Sequence, residues 1–420
     1  MLSPDGRSLR LNVTDPTNTH AHIKIDYLNS TTATNTLIRT WRTLRDGAHV
    51  VVDLSTTERI YPNGTVPLAA TIAYLNSVRP GSVVVDVGEQ SKLHHIQSPL
   101  TVQGFDRSLG HTRTNSVWVY RSEVEAQQLA NDLIEFLADN VPCEEGVIDT
   151  LNWCLYEVMD NVFQHSQAES GFVMMQLHRT QRLCVIGVAD TGIGIQKSLV
   201  TSASIPRPEL KDAGLAIAKA LEQGVTSKVR LNQGNGLFGL RRAVELNGGS
   251  LSVRSGRGTW QLQKGAVEHS HTPSTPVPEA ENHQATLVDW RLECAKRVRI
   301  DEALGGSYAP INEFLESIED PEGAYRVPVV DIERALGSRK LGAEIRTRLE
   351  NYLRAGARYI VLDFKGVGVI SSSFADEVLA KLAESMGELE FRRRIYVDSA
   401  SITNRGLIDR AIALRLGQSP

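Results

Sequence analysis

Three short groups of residues in the middle of the chain have types and spacings that could do chemistry. Glu157, Asn161 and His165 recur every four residues in EVMDNVFQH. That interval puts a carboxylate, a carboxamide and an imidazole on one helix face. Leu151, Cys154, Leu155, Val158 and Val162 form an apolar stripe beside them, so the pattern equally suits an amphipathic helix with a solvated face. The second group, VADTGIGI, places Asp190 at the end of an apolar strand, with Gly192 and Gly194 behind it. Glycines let backbone approach a flat ligand, and a buried carboxylate there can accept from an exocyclic amine. A plain strand-ending turn reads the same way. The third group, GNGLFGLRRAV, sets Gly234, Gly236 and Gly239 at a helix start, where free backbone N–H groups favour anions. Its spacing formally matches GxGxxG, but the preceding VTSKVRLNQ is polar, not the buried strand of a dinucleotide fold. The chain has no GxxxxGKS/T, which excludes a P-loop.

Those groups need elements to hold them. EVEAQQLANDLIEFLADNV (123–141) and EGVIDTLNWCLYEVMDNVFQHS (145–166) read as long helices. FVMMQLHR, RLCVIGVAD, GSLSVRSG and ATLVDWRL read as strands, and helices beside consecutive strands predict a two-layer α+β sandwich. The polar, proline-rich stretch 264–284 reads as an exposed loop before the last strand. Before this region, strand-like and helix-like segments alternate. HAHIKIDYL (20–28) is a strand, 33–47 a helix, AHVVVDL (48–54) a buried parallel strand, 65–78 a helix with proline in its first turn, and GSVVVDVGE (81–89) another buried strand. The last ~95 residues repeat this α/β theme. HVVVDLSTTERIY (49–61) lies over YIVLDFKGVGVIS (359–371), each with an apolar run ending in Asp (Asp53, Asp363), then an isoleucine (Ile60, Ile370) and a helix.

Taken together, in this order and on these elements, the three groups resemble the GHKL superfamily: gyrase-type and Hsp90-type ATPases, histidine-kinase catalytic domains and anti-sigma-factor serine kinases. Glu157 and Asn161 match the N box, Asp190, Gly192 and Gly194 the first glycine box, and Gly234, Gly236 and Gly239 the second. The resemblance covers roughly residues 120–298. It implies that the chain binds ATP and Mg²⁺. Asn161 would hold the ion through its amide oxygen, Asp190 would read the adenine amino group, and Gly192 and Gly194 would let base and ribose lie against backbone. Gly236 and Gly239 would direct helix N–H groups at phosphates. Glu157 stands where many members keep a general base for attack on the γ-phosphate. Residues ~196–233 would form a lid, with Thr226 and Lys228 as phosphate contacts, although the same residues suit a solvated surface. A late-strand threonine near adenine would be Thr286 rather than Thr259. The 123–141 helix contains no histidine, which argues against a conventional autophosphorylating histidine kinase.

The C-terminal unit resembles the STAS-like domains fused to such ATPases. Ser371, Ser372 and Ser373 occupy the place where STAS antagonists are phosphorylated, and a serine N-cap explains the same residues. The N-terminal unit resembles that fold weakly. The expected fold class is thus multidomain α+β and α/β: a flexible arm at 1–16, a STAS-like α/β domain at 17–119, the central GHKL domain, a linker at 299–323 and a STAS-like domain at 324–420. Length agrees, since 420 residues suggest about three domains.

Composition bounds the role. A net charge of −4 gives no reason to expect nucleic acid as a partner. No apolar run approaches the ~18 residues of a membrane span, and the polar N-terminus lacks a signal-peptide core. Cys143, Cys154, Cys184 and Cys294 are scattered, as in a reducing cytoplasm. The expected protein is a cytoplasmic, bacterial-type regulator with a STAS-like or other signalling partner, or a homodimer. Three activities stay open: an ATPase switch, a protein serine/threonine kinase acting on a STAS-like domain, and a non-catalytic nucleotide sensor.

Overall fold

The computed structural model describes residues 20–29, 49–88, 102–104, 114–202, 205–225, 235–271, 285–306, 319–320, 323–329 and 339–417, together with Ala33, Thr36, Thr40 and Thr43, which are helical. The expected arm at 1–16, Thr226, Lys228, Gly234 and most of the linker lie outside the described residues. The chain forms two compact units. The first comprises Met1–Leu133, Cys154–Leu177 and Cys184–Glu293; the second comprises Ile134–Trp153, His178–Leu183 and Cys294–Pro420.

The first unit begins with an all-parallel sheet of β1 (His20–Lys24), β3 (His49–Asp53) and β5 (Val83–Asp86), ordered β1-β3-β5, beside a two-residue pair of β2 (Tyr27–Leu28) and β4 (Arg59–Ile60). Val50 and Val52 are fully buried at its centre. The last strand was expected to be buried as well. It is an edge strand with Val84 49% exposed, because β-branched residues suit an edge as readily as a centre. The helix between them, α1 (Pro62–Val78), starts earlier than its sequence suggests. Pro62 occupies the first turn, so Pro67 falls inside the helix, where it lacks an amide to donate back one turn.

An eight-stranded sheet follows, ordered β12-β11-β10-β13-β9-β8-β7-β6. Its strands are β6 (Val102–Gly104), β7 (Val117–Tyr120), β8 (Gly171–His178), β9 (Leu183–Asp190), β10 (Ser250–Ser255), β11 (Gly258–Gln263), β12 (Ala266–His271) and β13 (Thr286–Glu293). The helices of this region are α2 (Glu123–Asn140), α3 (Val147–Asn161), α4 (Ile195–Ser202), α5 (Ala213–Ala220) and α6 (Gly236–Asn247). One expectation changes: the segment 266–271 is a strand, not loop; its six residues are all exposed, so no apolar alternation marked it. The sheet is covered on both faces. Helices cover one face, where Arg241 of α6 lies 5.8 Å over the Trp260 ring. The opposite face shares one continuous core with the N-terminal sheet and α1: Ile23, Val52 and Leu68 pack with Phe172, Met174, Ala189 and Leu287. The glutamine amide of Gln176 donates to Ile60 O at 3.2 Å across this junction. A side chain at Gly187 would come within 3.1 Å of Pro62.

The second unit holds a parallel sheet of β14 (Tyr325–Pro328), β15 (Ile360–Asp363) and β16 (Ile395–Asp398), ordered β14-β15-β16. Its helices include α7 (Ile300–Ala303), α8 (Arg339–Arg354), α9 (Ser372–Ala375), α10 (Lys381–Met386), α11 (Glu388–Arg394) and α12 (Ile402–Arg415), with a π-turn over Asp376–Ala380. The C-terminal end of α2 belongs to this unit and is tied down by α8. Asn351 Nδ2 donates to Ala138 O at 2.6 Å and Val141 O at 2.9 Å, and its Oδ1 accepts from Cys143 N at 2.9 Å. Arg348 grips Asp139 through both of its carboxylate oxygens.

The internal likeness read from the sequence extends to hydrogen bonds. Asp53 and Asp363 each end the middle strand of a three-stranded parallel sheet. The Asp53 carboxylate accepts from Ser55 N at 2.8 Å, and that of Asp363 from Lys365 N at 2.9 Å. Leu54 N donates to Asp86 O and Phe364 N to Asp398 O; Thr57 N closes a turn on Leu54 O and Val367 N on Phe364 O, both at 3.0 Å.

Candidate nucleotide site

The apolar stripe of α3 fixes its rotation. Leu151, Cys154, Leu155, Val158 and Val162 are buried, which leaves Glu157 and Asn161 half-buried on the adjacent face. At Asn161 the helix gives way to a π-turn over Val162–Ser166, which contains His165. π-turns inside helices recur at functional sites. Here the turn is braced from the sheet: the Tyr120 hydroxyl donates to Met159 O at 3.3 Å, and its ring meets Phe163 edge-on at 5.7 Å. Gly171 must lack a side chain because a Cβ would sit 2.2 Å from the Tyr120 ring.

The first glycine group docks on this turn. Ile193 N donates to Ser166 O at 2.8 Å. Gly192 lies so close that a Cβ would be 2.1 Å from the same carbonyl oxygen. Gly194 has φ of 78°, a left-handed conformation that favours glycine. Asp190 is buried at the end of β9, and its Oδ1 accepts from Gly192 N at 2.8 Å. Burial pushes the Asp190 carboxyl up to about 6, opposed by the Gly192 amide and the Ser166 hydroxyl. The same carboxylate, after burial itself, helps to hold the Tyr120 phenol well above its ordinary range.

The third group reaches α3 from the other side. Gly236 opens α6, and a Cβ there would be 2.6 Å from Glu157 Oε2. The Gly239 amide donates to Asn235 O at 2.7 Å, so it is spent inside the helix. The first-turn amides left for an anion are those of Gly236, Leu237 and Phe238. This narrows the expectation that Gly239 would offer its own N–H; its buried position serves packing. One contributor has no glycine or charge to mark it. Ser255 Oγ accepts from Ile195 N at 2.8 Å and lies 3.1 Å from Thr286 Oγ1, which ties the late-strand threonine to the first glycine loop. Thr259 is on β11, paired with Arg254 instead.

Residues distant in sequence thus converge: α3 touches both glycine groups, one through its closing turn and one through Glu157. A nucleotide phosphate or base fits two groups here: Asn161 Nδ2 is a buried donor with no hydrogen-bond partner, and the buried Asp190 carboxylate has no cation among its hydrogen-bond partners.

No curated protein matches the chain. A solved structure, that of ShkA full-length in complex with AMPPNP, is similar at 12% identity over 70% of this chain and 83% of that chain, with a TM-score of 0.22, a likeness too loose to carry an argument. Two family matches cover parts of the chain. Residues 146–266 match the histidine kinase-, DNA gyrase B-, and HSP90-like ATPases, and residues 342–403 match a STAS-like domain of unknown function. With the α3 helix, both glycine groups and β10 inside the first stretch and the β15 sheet core inside the second, the chain carries a GHKL-type ATPase domain together with a STAS-like domain.

Proposed function

We propose that the protein is a Mg-ATP-dependent ATPase switch. The observation that carries this reading is the double contact of α3, which ends in a turn packed on Gly192 and presents Glu157 to Gly236. Asp190 reads the adenine amino group, and Asn161 holds Mg²⁺ through its amide oxygen. Magnesium, when bound, neutralises phosphate charge. Glu157 orients water toward the γ-phosphate as general base, and the amides at the start of α6 hold phosphate oxygens. Thr226, Lys228 and Gly234 complete the phosphate contacts in this reading. The flanking units, approximately 17–119 and 324–420, are both STAS-like; the hydrogen bonds shared by Asp53 and Asp363 support the N-terminal assignment. The strands at 102–104 and 117–120 pair within the central sheet, so in this reading the N-terminal STAS-like unit gives up the end of its expected range, from residue 102 onward. The setting is a bacterial cytoplasm and the partner a STAS-like or signalling protein.

The test is γ-labelled ATP with purified protein. Label should appear as free phosphate, and Glu157→Ala should lower that rate at least about a hundredfold while nucleotide still binds. Hydrolysis by the variant at the parental rate refutes the base. A second reading, phosphorylation of a serine on a STAS-like domain, rests on the exposure of Ser372 at the start of α9, while the neighbouring Ser371 hydroxyl accepts from Phe374 N at 3.0 Å. Label retained on protein and mapped to Ser372 would favour it.

A further inference from the structure

The eight-stranded sheet ends in an unusual edge. β12 is six residues long, and all six are exposed. Among the described residues, no strand pairs with its outer side. Sheet edges are normally guarded by proline, lysine, bulges or very short length. The sequence AVEHSH has neither proline nor lysine, and its register with β11 runs unbroken from Gly258↔His271 to Gln263↔Ala266.

The hairpin fixes which groups face outward. Its two-residue loop is Lys264–Gly265, with φ of 51° and 78°, the conformation of a tight hairpin turn. In such a hairpin the residues flanking the loop exchange both hydrogen bonds, and the pairing alternates from there. Ala266, Glu268 and Ser270 therefore bond inward to β11. Val267, His269 and His271 point their amides and carbonyls at the open edge.

We propose that β12 pairs antiparallel with β12 of a second copy of this chain, centred on His269. A two-fold axis relating two antiparallel edge strands stands perpendicular to the sheet, so each residue faces one on the same side. Only registers centred on a residue satisfy this. Centring on Glu268 would set two glutamates directly opposite each other at the closest type of pair. Centring on His269 removes that clash. His269 meets its symmetry mate as a hydrogen-bonded pair, Val267 meets His271, and Glu268 meets the Ser270 hydroxyl. No like-charged carboxylates are opposed, and every outward amide from Val267 to His271 gains a partner. The interface is isologous and closes on itself. It extends beneath the strand. Gly214 of α5 packs against β12 so closely that a Cβ would be 2.6 Å from Ser270 O. The next residue, Leu215, is 44% exposed, and Val267 is 46% exposed. Both copies of α5 fall on the same side of the joined sheet.

The inference does not depend on nucleotide binding, and its test is the mass of the full-length chain in solution across concentration, by light scattering and sedimentation. A dimer is expected. His269→Pro removes a central outward amide that an edge strand can lose without disturbing the fold, so this variant should stay folded by circular dichroism and become monomeric. Ser270→Glu should weaken the dimer about tenfold by facing Glu268, and Ser270→Lys should tighten it about five- to tenfold. A wild-type chain that is monomeric at about 100 μM overturns the proposal (~10⁻⁴ M being the weak end of specific association). So does a dimer indifferent to His269→Pro and to both charges at 270. A monomer that captures an extended peptide along β12 would assign the edge to another partner and also overturn it.

Discussion

At the scale of single residues, the site depends on what is missing as much as on what is present. Gly192 is irreplaceable because the Ser166 carbonyl already fills the space a side chain would need. Gly192→Ala should cost about 1–3 kcal/mol in a denaturant melt and reduce ATP affinity, since the glycine loop must move off the π-turn. Asp190 gives a pH signature. Its carboxyl is raised to about 6, chiefly by burial. As pH falls through that value the group gains a proton and stops being a full acceptor, so ATP affinity should decline from pH 7 to pH 5 in calorimetric titration. Asp190→Asn should bind at least about tenfold more weakly at pH 8 and lose that slope. The glycine was legible because only glycine tolerates such proximity, and the acid because a carboxylate closing an apolar strand stands out from its neighbours. Ser255 and Tyr120 were not legible. A serine or tyrosine in a strand is ordinary, and their roles come from neighbours that the sequence holds far away.

At the scale of elements, helical period exposed α2 and α3 directly, and continuous apolar runs exposed β3, β9 and β15. Period fails where exposure is uniform, as in β12, or where a strand is apolar but peripheral, as in β5. Pro67 shows a different limit, because a proline marks a first turn only when the helix begins beside it. The strongest element-scale device is Asn351, one carboxamide meeting three backbone groups at the end of α2. Helix ends leave carbonyls without partners, and this side chain supplies two of the missing donors. Asn351→Ala would strand buried carbonyls and an amide, so unfolding free energy should fall by at least about 2 kcal/mol. A loss below about 0.5 kcal/mol would mean that water replaces the side chain. Arg348, paired with Asp139 in the same helix, should resist substitution by lysine, which cannot present two parallel donors.

At the scale of the whole molecule, buried acids set the pH profile. Asp289 on β13 is pushed up to about 7, mainly by burial, with Arg254, Arg291 and Asn63 opposing the shift. Both Asp289 and Asp190 titrate above the ordinary aspartate value in the folded chain. Between that value and about 7 the native state therefore binds more protons than the unfolded state, and stability falls as pH rises through the interval. Unfolding free energy should be greater near pH 5.5 than at pH 8, by an amount on the order of a few kcal/mol, with a correspondingly higher melting temperature. Below about 4.5 the trend reverses. Glu245, Asp376 and Asp398 are held below their usual range; burial pushes Glu245 up but is outweighed by Arg241 and Arg242, while Arg415 and Arg326 pair with the other two. They lose those pairings on protonation. A flat melting profile from pH 5.5 to 8 would contradict the burial of the two acids.

The shared core under the central sheet has a further consequence. A fragment trimmed to residues 146–266 would bare Phe172, Met174 and Ala189 to water. The amino-terminal α/β unit is in that sense not an accessory but the floor under the ATPase-family domain, set against strands that end in Asp190 and begin at Thr286.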